Sequence, residues 1–350
     1  MTRKNTRAVM AGRVQIGGGA PVSVQSMTNT RTTDIDATVA QIAGLEAAGC
    51  DIVRCAVPDM EAAAAIGEIK RQTGIPLVAD VHFDWRLAVE CVKQGVDKLR
   101  INPGNIGDRS RTEAVVRAAA ERGIPIRIGV NAGSVDRKKY PELTARALVE
   151  SGMEQVRILE GLGFFDTVLS FKASSVLLTA EAYRLAAEIC DYPLHTGVTE
   201  AGLPRTGIIR SAIGIGSLLM DGIGDTIRVS LTSRPENEVT AGIEILRSLG
   251  LRDSGYTLIS CPTCGRTRIA LEELAQKVAD YLDRERPARP VTVAVMGCVV
   301  NGPGEAREAD LGIAGGDGKC ALFARGELLR TVAEDKVFDE FVKELRKIAY

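Results

Sequence analysis

Aromatic side chains are scarce in this chain: one Trp, six Tyr and seven Phe, 4% of 350 residues. That scarcity, beside abundant Ala, Val, Ile, Leu and Gly, suits helices packed on strands better than a β-sandwich. No apolar run reaches the roughly 18 residues of a transmembrane helix. A net charge of −1 supplies no basic field for nucleic acid or a membrane surface. The N-terminal MTRKNTRAVMAGRV is basic, but no apolar segment of a secretory signal follows it. It reads as a short leader strand, and the chain as cytoplasmic. No GxGxxG and no P-loop follows the first candidate strand, which removes the usual signatures of an open nucleotide-binding sheet. IGGGAP and AIGIGSLLMDGIGDT read instead as turns and tight helix–strand packing.

What is present is a repeating unit. Short β-rich runs occur at 22–27, 52–57, 76–82, 98–103, 124–131, 170–175, 193–199 and 226–231, with Ala/Leu/Glu-rich helical stretches between them. Strands alternating with helices imply a parallel sheet with right-handed crossovers. Eight such units in about 225 residues predict a closed (β/α)8 TIM barrel. The pattern breaks near residue 255, and a smaller α+β segment follows it. The predicted boundary falls near 250–257, dividing the chain into a barrel domain, 1–252, and a second domain, 253–350.

Five candidate strands carry a basic residue toward their C-terminal half: Arg54, Arg100, Arg127, Lys172 and Arg228. Buried parallel strands should read as apolar runs, and an unpaired buried charge is costly. In a barrel these strand ends form the active-site face. Cations converging there fit a substrate with several phosphate charges. Pairing with Asp80, Asp84, Glu160 or Glu200 is the plain alternative for individual residues. Asn102 and Asn131 follow two of the cations, Ser230 shares a strand face with Arg228, and the only two histidines, His82 and His195, fall on candidate strands. Glu200, just past the seventh strand, is placed to exchange a proton.

Eight cysteines would allow disulfides in a secreted chain, but here none is expected. Cys50, Cys55, Cys91 and Cys190 stand singly in apolar surroundings and read as small buried hydrophobes. Cys261 and Cys264 form a CxxC, and Cys298 follows in GCVVNGPGE. The CxxC alone fits a redox dithiol, half a zinc site or half an iron–sulfur site. No histidine follows His195, so a zinc site would need Cys320 as its fourth ligand. A 4Fe–4S cluster takes four ligands as well, and Glu305, seven residues after Cys298 across an Asn-Gly-Pro-Gly turn, can be the fourth.

CPTCGRT and GCVVNGPGEA resemble the cluster motifs of the 4-hydroxy-3-methylbut-2-enyl diphosphate synthase family, also called GcpE or IspG. SVQSMTNT, VRCAVP, ADVHFD, LRINPGNIG, HTGVTEAG and SAIGIGSLLMDGIGDTIRVSL extend the resemblance through nearly the whole chain, in the short two-domain bacterial form. The resemblance implies one 4Fe–4S cluster per chain, with Cys261, Cys264, Cys298 and Glu305 as ligands. It implies reductive conversion of 2-C-methyl-D-erythritol 2,4-cyclodiphosphate to 4-hydroxy-3-methylbut-2-enyl diphosphate, the penultimate step of the methylerythritol phosphate route to isoprenoids. The five strand-end cations, with Asn102, Asn131 and Ser230, would hold the substrate, and Glu200 would lie near the reacting carbons. Flavodoxin or ferredoxin would deliver electrons. The family's homodimer would place one chain's cluster domain over its partner's barrel. The rival readings are a non-redox barrel enzyme with an appended zinc domain, in which Lys172 would be a Schiff-base candidate, and a non-catalytic binding module.

Overall fold

A computed structural model describes residues 2–102, 106, 109–253, 255–298 and 307–350. The chain divides into two compact units, Met1–Arg252 and Asp253–Tyr350.

The first unit opens with an antiparallel hairpin, β1 (Val9–Ala11) and β2 (Val14–Ile16), in place of the predicted single leader strand. Eight parallel strands follow: β3 (Ser23–Met27), β4 (Ile52–Ala56), β5 (Leu77–Asp80), β6 (Lys98–Ile101), β7 (Ile126–Asn131), β8 (Thr167–Lys172), β9 (His195–Thr196) and β10 (Thr226–Ile227). They are ordered β8-β7-β6-β5-β4-β3-β10-β9. A parallel bridge between Leu169 and Leu194, with Leu169 N–H donating to the Pro193 carbonyl at 2.9 Å, joins β8 to β9 and closes the barrel. The last two strands are shorter than predicted. Beyond Thr196 the chain runs so close to β10 that a Cβ on Gly197 would stand 2.4 Å from the Arg228 carbonyl oxygen, leaving room only for glycine.

Helices α1 (Ile35–Ala47), α2 (Met60–Gln72), α3 (Trp85–Lys93), α4 (Arg109–Glu121), α5 (Ala145–Glu160), α6 (Val176–Ile189), α7 (Pro204–Met220) and α8 (Pro235–Ser248) alternate with the strands. Their starts are written locally. Asp34, Asp59, Asp84, Thr144 and Ser175 each accept a first-turn backbone N–H, and α7 and α8 begin on Pro204 and Pro235. Each such cap is worth about 1 kcal/mol.

Strand alternation splits the barrel into two environments. Outward residues such as Val24, Val53, Leu77, Leu99, Ile126 and Leu169 join Ile42, Ile66, Val115 and Leu148 of the helices in one apolar core. At the N-terminal strand ends, Val9, Ala11 and Ile16 of the hairpin pack on Ile52, Val78 and Val168. The rest of the interior is polar, as described below.

In the second unit, β11 (Tyr256–Ser260), β12 (Val291–Met296) and β13 (Leu311–Gly315) are parallel, and β14 (Lys319–Ala324) and β15 (Glu327–Ala333) continue the sheet antiparallel. Helices α9 (Leu271–Glu285) and α10 (Val337–Ala349) bring Val278, Leu282, Phe341 and Leu345 onto Val293, Val295, Ile313 and Leu322. Among the described residues, no helix is long and apolar enough to cross a membrane.

Candidate active site

The expected cations lie where strand alternation puts them. Arg54, Arg100, Arg127 and Lys172 are buried, and Arg228 nearly so. Lys172 ends β8, Arg100 is next to last in β6, Arg54 is mid-β4 and Arg228 follows β10, but Arg127, expected toward the end of its strand, is the second residue of β7. The register places Arg100 beside Arg127, and Asn131 beside Lys172. Asp80, the last residue of β5, is their hub: Oδ1 lies 2.9 Å from Arg100 Nη1, and Oδ2 lies 3.5 Å from Arg54 Nε. Burial alone would raise the Asp80 carboxyl, but Arg54, His82 and Arg100 outweigh it and hold it well below the ordinary carboxylate range. Arg54 also donates to Met27 Sδ at 2.9 Å, and Arg127 to Gln25 Oε1 at 2.9 Å. Arg228 lies 3.5 Å from Glu238 of α8, which accepts from Ser26 Oγ and the Leu231 N–H. Gly129 permits Arg100 to cross β7, since a Cβ there would stand 2.7 Å from its Nε.

The two histidines differ. His82 lies just past β5, half exposed, with Nε2 2.9 Å from Arg100 Nη1. His195, on β9, is fully buried; burial, then Lys172, Arg127 and Lys98, hold its ring neutral. Asn102 and Ser230 follow β6 and β10 and are half-buried. Glu200 is exposed in the loop before α7 with φ +54°. A left-handed backbone at a non-glycine residue is uncommon, and at a barrel's C-terminal face such strain is typical of functional loops.

The plain alternative holds for some acids. Asp80 does pair with cations, while Asp84 is taken by Arg86 at 2.6 Å and Glu160 accepts from Tyr192 at 2.9 Å. Sequence reading missed Lys98, Gln25 and Glu238. Lys98 stands two residues before Arg100, and that spacing alone puts it on the same strand face. Six basic side chains thus share the interior with two paired carboxylates, Asp80 and Glu238. Such an excess calls for an anion.

Asp80→Asn keeps the side chain's size and removes the shared counter-charge. Breaking a buried pair costs about 3–5 kcal/mol, so the thermal midpoint should fall by roughly 10 °C. The folded carboxyl lies below its unfolded value of about 3.9. Its stabilisation is therefore present above that pH and lost on acidification. Calorimetry should show the gap between wild type and variant closing below about pH 4.

In the second unit three cysteines follow the same end of two neighbouring strands. Cys261 and Cys264 leave the C-terminal end of β11, and Cys298 leaves that of its parallel neighbour β12. The Gly297 N–H donates to Cys261 Sγ at 3.2 Å, which ties the two loops together. Cys264 is exposed, its N–H donating to Thr267 Oγ1 at 3.1 Å. The backbone and then the side chain of Arg266 lower its thiol toward the thiolate that binds metal. These donors fit a thiolate-bound group, although among the described residues no three ligands are already closed around a metal position. Glu305, the fourth expected ligand, lies outside the described residues. Cys320 is buried on β14 with its thiol raised by burial, the behaviour of a structural cysteine. Cys50, Cys55 and Cys91 are buried as expected, with thiols pushed up by desolvation to about 12, 11 and 12.

Two family models match the chain in succession: the GcpE TIM-barrel domain over residues 6–243 and the GcpE protein C-terminal domain over 257–347. The chain belongs to the GcpE family. Its relatives named 4-hydroxy-3-methylbut-2-en-1-yl diphosphate synthase (flavodoxin) include those of Caldanaerobacter subterraneus and Geobacter sulfurreducens. Each is 56% identical, over 99% of this chain and 98% of its own. The Clostridium perfringens protein of that name is 54% identical over 99% of this chain and 100% of its own. Among solved structures, Yersinia pestis DHPS aligns with TM-score 0.50 at 13% identity, over 69% of this chain and 100% of that one. Dihydropteroate synthase from Stenotrophomonas maltophilia aligns with TM-score 0.50 at 13% identity, over 66% and 92%. These two share the barrel fold with this member of the GcpE family.

Proposed function

We propose that this chain carries out the reaction its relatives are named for, converting 2-C-methyl-D-erythritol 2,4-cyclodiphosphate to 4-hydroxy-3-methylbut-2-enyl diphosphate on the methylerythritol phosphate route to isoprenoids. The observation that carries the proposal is the excess of buried positive charge inside the barrel. The reaction breaks the C2–O bond to the cyclic diphosphate and the C3–OH bond. It forms a C2–C3 double bond, takes up two electrons and releases water.

Arg54, Arg100, Arg127, Lys172 and Arg228 hold the two phosphates, with guanidinium forks matching phosphate oxygens. The same charges stabilise the diphosphate end as it is released from C2. Asp80 and Glu238 keep Arg54, Arg100 and Arg228 from swinging, so the cations meet substrate already oriented. His82, His195, Asn102, Asn131 and Ser230 complete the polar wall. Glu200 exchanges a proton at its carboxylate beside the reacting carbons. Cys261, Cys264, Cys298 and Glu305 would hold a 4Fe–4S cluster, which would supply single electrons and a Lewis-acidic iron. Flavodoxin or ferredoxin provides the electrons, since the chain carries no nucleotide motif of its own.

Glu305 tests the ligand set. A carboxylate is a harder and more exchangeable iron ligand than a thiolate. Glu305→Ala should therefore lower cluster stability and turnover sharply, and Glu305→Cys should retain four irons yet turn over poorly. Iron and acid-labile sulfide, measured after anaerobic purification, check the first half; near-native turnover in Glu305→Ala would remove Glu305 from the set.

The assembly proposed is a homodimer in which one chain's cluster unit caps its partner's barrel. At a substrate concentration too low for the Arg127→Ala chain to turn over, mixing it with a Cys298→Ser chain should then restore turnover, because mixed dimers hold one complete site. If each site were built from a single chain, the mixture would stay inactive.

A further inference from the structure

Lys98 has no task in the reading above. It begins β6, is 0% exposed, and its Nζ makes no hydrogen bond among the described residues. Its surroundings are cationic: Arg127 on β7, Arg54 on β4 and His195 on β9, with Arg100 two residues along its own strand. The nearby acids are committed. Asp80 serves Arg54, Arg100 and His82, and Glu238 serves Arg228. The Tyr183 hydroxyl of α6 donates to the His195 carbonyl at 2.5 Å. Both His195 ring nitrogens are likewise without a hydrogen bond among the described residues.

A buried, low-dielectric interior does not hold six full positive charges against two carboxylates. Guanidinium keeps its proton in a protein, whereas a buried ammonium gives its proton up readily. The adjustment therefore falls on Lys98, Lys172 and His195. Burial, then Arg127 and Arg54, drive Lys98 well below the ordinary lysine value.

We propose that binding of the cyclodiphosphate draws a proton into the barrel, with Lys98 as the principal acceptor. The proposal rests on the reading that a diphosphate binds among these cations. The incoming negative charge supplies what the interior lacks, and Lys98 Nζ passes from amine to ammonium by taking a proton from solvent. No bond in the substrate changes in this step. Lys98 acts as a positioning residue, setting charge beneath Arg127.

The test is isothermal titration of the cyclodiphosphate into oxidised holoenzyme at pH 8, with no reductant, in buffers of different ionisation enthalpy. Each phosphorus of the cyclic substrate has one strongly acidic ionisation, so any buffer-dependent heat reports protons taken by the protein. About one proton per site should be absorbed. Uptake should vanish at a pH low enough that Lys98 is already charged in the free enzyme. Lys98→Met should bind with most of the uptake gone, and so should Lys98→Arg, whose guanidinium is charged throughout. Saturable heat that ignores the buffer would overturn this proposal alone, as would undiminished uptake in both variants. Absence of saturable heat would overturn both this proposal and the reading of the site beneath it.

Discussion

Cys298→Ser should strip the protein of most of its iron and abolish turnover, while Cys320→Ser should leave both intact. Cys298 follows Gly297, whose N–H reaches Cys261 Sγ at 3.2 Å, so the two loops that carry the three thiols are already joined. A serine hydroxyl does not replace thiolate as a soft ligand to iron. Cys261→Ser and Cys264→Ser should behave alike. Cys320 makes the contrast, because it sits in the apolar core of the sheet with its thiol raised by burial. Iron and sulfide content and the visible spectrum read the outcome. If Cys320→Ser alone removed the metal, a four-cysteine zinc site would replace the cluster reading.

The second large effect is expected at Arg127, which is 1% exposed at the centre of the cationic interior and donates to Gln25 Oε1. Arg127→Ala should weaken cyclodiphosphate binding by about ten- to hundredfold, since a charge-assisted hydrogen bond is worth roughly 1.5–3 kcal/mol. The cluster spectrum should not change, because the thiol ligands belong to the other unit. Titration of substrate into the variant measures the effect. Unaltered affinity in both Arg127→Ala and Arg228→Ala would make these residues internal ion-pair partners rather than substrate ligands.

Much of this was legible in the sequence because barrel strands have a period of two and a direction. A basic residue near the end of an otherwise apolar run had to face either a helix or the barrel axis, and only the axis tolerates it. Arg54, Arg100 and Lys172 therefore announced the active-site face, and Arg127 joins Arg100 from the second position of β7. Lys98 did not, because it begins its strand, where a lysine normally reaches solvent. Glu238 was hidden for another reason: it lies on a helix, and only tertiary packing brings it to 3.5 Å from Arg228. Asp80 could be named as a pairing acid, but its role as the hub of Arg54, Arg100 and His82 depends on strand register. The leader became a hairpin because Val9, Ala11 and Ile16 bury themselves against Ile52, Val78 and Val168, contacts far apart in sequence. The strained backbone at Glu200 leaves no mark in composition at all.

This cationic barrel should perform a reductive opening of a cyclic diphosphate. The most direct test supplies anaerobically purified protein with the cyclodiphosphate and a strong one-electron reductant, and follows the phosphorus-containing products. The cyclodiphosphate should disappear and 4-hydroxy-3-methylbut-2-enyl diphosphate should form at two electrons per molecule, with no reaction when reductant is withheld. Iron-free protein that holds zinc, leaves the cyclodiphosphate untouched under reducing conditions and is trapped by borohydride at Lys172 with a phosphosugar would contradict that reading.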